Sequence, residues 1–166
     1  MPRRKAGIGK ALIWRTLDDR RPIYNRKLCL QEVRQRIARC HAPWRQALRG
    51  LLDAAHAAHG VVYHLNCHSM NAASGLVGEG GAGILRADRV SGDRDGITCA
   101  PEFTAFVRGM LAGQGYEVAV NDPFKGVELV RANADPAAGR HGPQLAVNKR
   151  RYMDSAMPAM TGCRAT

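Results

Sequence analysis

Residues 62–70, Val-Tyr-His-Leu-Asn-Cys-His-Ser-Met, end a short apolar run in a polar cluster that carries a histidine, with glycine-rich sequence beyond it. An α/β enzyme presents a metal ligand in this way, at the carboxyl end of a core strand where such sheets bind ligands. His68 is the candidate ligand, because imidazole is a standard zinc donor and a catalytic zinc takes three protein ligands plus water. His64 cannot share that metal from an unbroken strand, since four residues of strand span roughly 13 Å. It reads as a hydrogen-bonded core histidine. Cys67 and Ser69 flank His68, but no G-x-S-x-G elbow or matching base accompanies them, and Cys67 is expected to point into the core.

Two later strings add polar chemistry. In Gly92-Asp93-Arg94-Asp95-Gly96, an arginine between carboxylates could be held by them and aimed at an anionic substrate, because guanidinium grips carboxylate bidentately. Its bland reading is a polar turn. Asn121-Asp122-Pro123-Phe124-Lys125-Gly126 follows an expected strand, where a binding loop belongs, and Lys125 is either a substrate contact or a solvated cation. Gly78-Glu79-Gly80-Gly81-Ala82-Gly83 matches G-x-G-x-x-G literally but lacks the preceding strand and following helix that a dinucleotide site needs, so it is set aside.

These residues need a scaffold, and the chain has the length for one. Its 166 residues and 45% hydrophobic content fit a single globular domain over 1–166, without internal repeats. A helix is expected from Leu30 to Cys40, and a second from Pro43 to a stop at Gly60. Trp44, Ala47, Leu48, Leu51, Leu52 and Ala55 form the stripe of the second. Val61–Asn66 reads as a buried strand and 71–85 as a loop. Pro101 opens a helix that Gly113 and Gly115 end, and Tyr116–Val120, Val127–Val130 and Leu145–Asn148 read as strands. Strands alternating with helices imply a layered α/β fold around a mixed or parallel sheet.

Composition narrows the partners. Five cysteines without a C-x-x-C pair argue against a disulfide framework or zinc knuckle and suit a reducing, cytoplasmic setting. No apolar run approaches the ~20 residues of a membrane span. The formal charge is +11, but its 25 basic residues are dispersed and only nine aromatics accompany them, which argues against nucleic acid and suits a small acidic ligand.

Taken in order, five segments resemble the N-formylglutamate amidohydrolase family. They are Arg21-Pro22-Ile23-Tyr24-Asn25-Arg26-Lys27-Leu28, Asn66-Cys67-His68-Ser69-Met70, the Gly92–Gly96 and Asn121–Gly126 strings, and Asn148-Lys149-Arg150-Arg151-Tyr152-Met153-Asp154. The resemblance covers about residues 12–154. It implies an α/β/α fold with a mixed sheet, like that of the zinc carboxypeptidases, and a hydrolase that releases formate from N-formyl-L-glutamate in histidine degradation. It implies Zn2+ as cofactor with His68 as a ligand, and Arg94, Asn121, Lys125 and Asn148 around a small acidic amino-acid derivative. Departures are also visible. Ala146 stands where the family's general base is expected, Asn66 replaces an aspartate, Asn71 a proline and Arg151 an apolar residue. The chain starts inside the family pattern, so the other zinc ligands are expected to be missing. No spacing argues for Glu79, Asp88, Asp93 or Asp95 in their place. The alternative is an inactive relative or fragment that binds a small acidic ligand or a protein partner.

Overall fold

The computed structural model describes Gly7 and residues 12–17, 21–75 and 82–153. It forms two compact units, one of residues 1–62 and 74–84, the other of residues 63–73 and 85–166.

The first unit is helical. Helix α1, Leu30–Arg36, is capped by the Cys29 sulfur, which accepts from the Glu32 amide at 3.4 Å. The chain continues through a π-turn, Ile37–His41, into α2, Ala42–His59, so the expected break between helices is a change of winding. Pro43 sits in the first turn of α2, and Gly60, in the left-handed region at φ 70°, ends it by donating to the His56 carbonyl at 2.8 Å. The apolar stripe is present, but only Leu52 is buried; Trp44 and Leu51 stay exposed. Glu32 anchors the preceding segment, accepting from Arg26 at 2.8 Å and from Arg36 at 2.6 Å, while Arg36 also donates to the Tyr24 hydroxyl at 2.7 Å.

The second unit is built on a four-stranded mixed sheet. Its strands are β1 (Asn66–Met70), β2 (Arg89–Gly92), β3 (Val118–Val120) and β4 (Gln144–Asn148), in spatial order β1-β4-β2-β3. β4 runs parallel to β1 and antiparallel to β2, and β2 runs parallel to β3. The principal strand lies a few residues later than expected, at Asn66–Met70. Val62–Tyr63 forms only a short extended piece. That shift turns Cys67 out to solvent, against the expectation that it faces the core. Helix α3, Pro101–Gly113, begins at its proline as expected. The segment expected to be a strand at Val127–Val130 instead caps and begins helix α4, Glu128–Asn133, which fully buries Val130. Its β-branched residues are there for packing, and tertiary context overrides so short a propensity.

Register fixes which side chains share a face, because directly opposed residues point the same way. His68, Ala146, Val90 and Ala119 form one row across all four strands. On that face Met70, Val90 and Ala146 make the buried cluster, with Ala119 and Phe124 packed against it.

Asp88, 2% exposed, ties down the end of this sheet. It accepts from Arg150 at 2.8 Å, from Arg151 and from the Glu117 amide. Hydrogen bonds from Arg151, and then from Arg150 and the Glu117 N–H, outweigh burial and hold its carboxyl well below the usual range. A depressed carboxyl contributes stability above its unfolded value, near 3.8, that is lost as pH falls through the folded one. Asp88→Asn is therefore expected to cost ~1–3 kcal/mol at neutral pH. Thermal melts of both proteins should converge as the pH drops below that value, and a gap independent of pH would refute this account.

Candidate functional site

His68 lies on β1, at the edge of the sheet among the described residues, and its side chain is exposed. Its Nδ1–H donates to the Ser69 carbonyl at 2.8 Å, which leaves the Nε2 lone pair free to accept or to ligate. Its neighbour in register is Ala146, whose methyl is 1% exposed in the apolar cluster. No carboxylate stands beside the histidine at that position.

Arg94 and Lys125 emerge at the carboxyl ends of β2 and β3, which are parallel and adjacent. Two strands lie between β1 and β3, and the loop after β2 starts roughly 10 Å across the sheet from β1. The Arg94 amide donates to the Lys125 carbonyl at 2.7 Å and its Nη1 to the Gly126 carbonyl at 3.0 Å. Its Nε is buried without a hydrogen-bond partner. The flanking carboxylates do not hold it, contrary to the sequence reading. Asp95 pairs with Lys125 at 2.7 Å, both being more than half exposed, and so exposed a pair adds little stability. Asp93 turns inward instead, accepting from Asn121 Nδ2 at 2.7 Å, from the Gly96 amide at 3.0 Å and from the Thr104 hydroxyl at 2.8 Å. Burial pushes its carboxyl up, but those three donors prevail and leave it below the ordinary value.

Backbone geometry marks the same loops. Arg94, Asp95 and Asn121 adopt φ of 57°, 60° and 59°, a conformation that non-glycine residues occupy only when their surroundings impose it. Gly92 is required for a different reason. A Cβ there would lie 2.6 Å from the Gly126 nitrogen and 2.6 Å from the Phe124 carbonyl oxygen. The Phe124–Gly126 segment thus crosses directly over Gly92, which brings the Phe124 ring onto the face that His68 shares.

The two asparagines are placed differently. The Asn121 side chain faces Asp93, accepting from the Asp93 amide at 3.0 Å. Asn148 is fully buried, donates to the Arg86 and Ala87 carbonyls and accepts from the Arg150 amide. Both hold loops at the sheet ends. Asn71 accepts from Lys149 at 3.0 Å, and Arg151, beyond its bond to Asp88, lies over the Tyr116 ring. His64 is half-buried with an unpartnered Nδ1, rather than a satisfied core histidine. Asp93 and Gly92 were legible only as parts of a polar turn; the signal was an inward-facing acid hidden in a string that looked solvated.

Among the described residues, no three His, Cys, Asp or Glu side chains converge. Asp88 is taken by arginines, Asp93 by three hydrogen-bond donors and Asp95 by Lys125; Glu79 and Asp154 lie outside the described residues. One histidine does not fit a catalytic zinc, which needs three protein ligands.

A family model for N-formylglutamate amidohydrolase matches residues 3–153. The chain belongs to the N-formylglutamate amidohydrolase family. Its structure is similar to that of N-formylglutamate amidohydrolase from Ralstonia eutropha, with 39% sequence identity and a TM-score of 0.81. The match covers 90% of this chain and 54% of that one, so the chain spans about half the length of that relative. No curated protein matches it at comparable significance.

Gly92→Ala is expected to displace the 124–126 crossing, because both obstructing groups are backbone. The expected cost is ~1–3 kcal/mol or more in stability. Chemical denaturation measures this, and a variant as stable as the parent would show that the crossing is not held over Gly92.

Proposed function

We propose that this chain acts on N-formyl-L-glutamate, hydrolysing the formyl amide to formate and L-glutamate. Family membership over residues 3–153 carries the reading, supported by 39% identity to the Ralstonia eutropha amidohydrolase. In this reaction a water oxygen adds to the formyl carbon, the C–N bond breaks and the leaving amine takes a proton. Arg94 supplies guanidinium donors for one substrate carboxylate, and Lys125 an ammonium for the other. No carboxylate among the described residues pairs with Arg94, whose Nη1 donates only to the Gly126 carbonyl, and this supports that assignment. Asn121 contributes by holding the loops around the ligand rather than by offering a free amide to it, while Asn148 holds the approach to β2 at the other end of the sheet.

Zinc belongs to the same proposal, with His68 Nε2 as one ligand. The described residues do not complete a zinc site. When bound, zinc would polarise the carbonyl and acidify water. Nor does Ala146 offer a proton acceptor, and loss of a general base typically lowers rates ~10²–10⁴-fold. Slow turnover is therefore expected. The proposal places the chain in a reducing, cytoplasmic setting, which the unpaired cysteines among the described residues suit; no helix among those residues is long and apolar enough to cross a membrane.

The test is formate release from N-formyl-L-glutamate by the purified, zinc-supplemented chain, with His68→Ala as the blank. Release above the blank supports the proposal. No release from folded protein that still binds L-glutamate would overturn hydrolysis and leave a binding relative.

A further inference from the structure

We infer that Asp93 and Asn121 form a lock that positions the two cation-bearing loops, making Asp93 a positioning residue for recognition of the acidic ligand. This rests on reading Arg94 and Lys125 as the cations that hold that ligand. β2 and β3 are parallel and in register to Ser91 and Val120, so the chain leaves the sheet at two adjacent points. The ladder continues for one further bond, from the Asn121 amide to the Ser91 carbonyl at 2.8 Å. Side chains then take over. The Asp93 amide donates to Asn121 Oδ1 at 3.0 Å, and Asn121 Nδ2 donates back to Asp93 Oδ1 at 2.7 Å. This reciprocal pair acts as an extra rung between the two loops, beside the backbone bond from Arg94 to Lys125.

The other contacts of Asp93 anchor the rung. Oδ2 accepts from Thr104 on α3, and Oδ1 also accepts from the Gly96 amide, closing the turn that carries Arg94. Beyond the rung, Arg94 and Asp95 are left-handed and Arg94 donates to Lys125 and Gly126. Left-handed non-glycine residues relax unless held. Without the lock, Arg94 would return to an extended or right-handed backbone and carry its guanidinium away from Lys125. The residue types follow from the geometry. Position 93 meets three donors, which a carboxylate satisfies. Position 121 must donate, accept and tolerate positive φ, which asparagine does.

Four variants test this by calorimetric affinity for N-formyl-L-glutamate and L-glutamate, by tryptic cleavage after Arg94 and Lys125 followed by mass spectrometry, and by thermal melting. Asp93→Ala removes the acceptor, and Asn121→Asp sets two carboxylates against each other. Both are expected to weaken binding roughly tenfold and to speed cleavage at both sites, in line with coupling energies of contacting pairs. Asp93→Asn is expected to stay within about threefold of the parent, because the Thr104 hydroxyl can reverse and accept. Combining Asp93→Asn with Asn121→Asp restores the reciprocal pair but turns an amide NH2 toward the Gly96 N–H, so it should recover part of the affinity and of the resistance to cleavage that Asn121→Asp loses.

Recovery by the exchange at an unchanged melting temperature supports the lock, since a purely structural loss would not respond to swapping the partners. An exchange no better than Asn121→Asp alone, or an Asn121→Asp variant indistinguishable from the parent, overturns it. If the parent binds neither ligand, the assignment of Arg94 and Lys125 to an acidic ligand falls. The order of cleavage rates then decides the lock by itself, with rescue supporting it and absence of rescue overturning it.

Discussion

β4 is the strand on which the second unit depends. It lies between β1 and β2 and pairs with one in the parallel sense and with the other in the antiparallel sense. Every neighbour therefore takes its register from five residues, Gln144–Asn148, all but one of them buried. A slip of one residue would exchange the two faces of the sheet. It would turn Ala146 away from Met70 and Val90, and detach the Gln144 side-chain Oε1 from the Val127 amide that it accepts at 3.0 Å. The ends of β4 are used as fully as its middle. Gln144 fastens the segment before α4, and Asn148 fastens the approach to β2.

From that register comes a division of labour between the two ends of the sheet. At one end, Asp88 gathers Arg150 and Arg151, so that cations in the last described segment neutralise a buried acid. At the other end, Asp93 is satisfied without any cation, by an amide, a backbone N–H and a hydroxyl. The contrast matters for recognition. An acid paired with arginine would consume the guanidinium that an anionic ligand needs. Because Asp93 draws on neutral donors, Arg94 is left half-buried and unclaimed by any carboxylate among the described residues. Lys125 is held by an exposed partner, Asp95, from which the ligand carboxylate of the proposed function would displace it at little cost.

His68 and Ala146 show how family membership and chemistry can part company. The strand still delivers an imidazole with Nε2 outward, as a ligating histidine requires. Its neighbour in register is a methyl inside an apolar cluster closed over by Phe124. Under the proposed function, the scaffold that would present a substrate is thus more complete in the described residues than the groups that would activate water.

Much of this was legible in the sequence, and the limits have a physical cause. Local signals travelled well. Pro43 and Pro101 mark helix starts because proline suits a first turn, and Gly60 marks a stop because only glycine adopts its left-handed cap without strain. Ordered polar strings pointed to the family and to Arg94 and Lys125. Signals that depend on distant partners did not carry. Val127–Val130 looks like a strand until packing makes it part of a helix, and Cys67 looks buried until register places it outside. Asp93 looks like a solvated turn residue, or a clamp on Arg94, until Asn121 and Thr104 are brought against it from 28 and 11 residues away. By itself the sequence determined the helix ends that proline and glycine mark, which family the chain resembles and which cations are available, because these follow from local backbone preference and side-chain identity. Tertiary structure alone decided which acid faces inward and which arginine stays unpaired. Those outcomes belong to pairs of groups, and a pair exists only after the sheet has set its register.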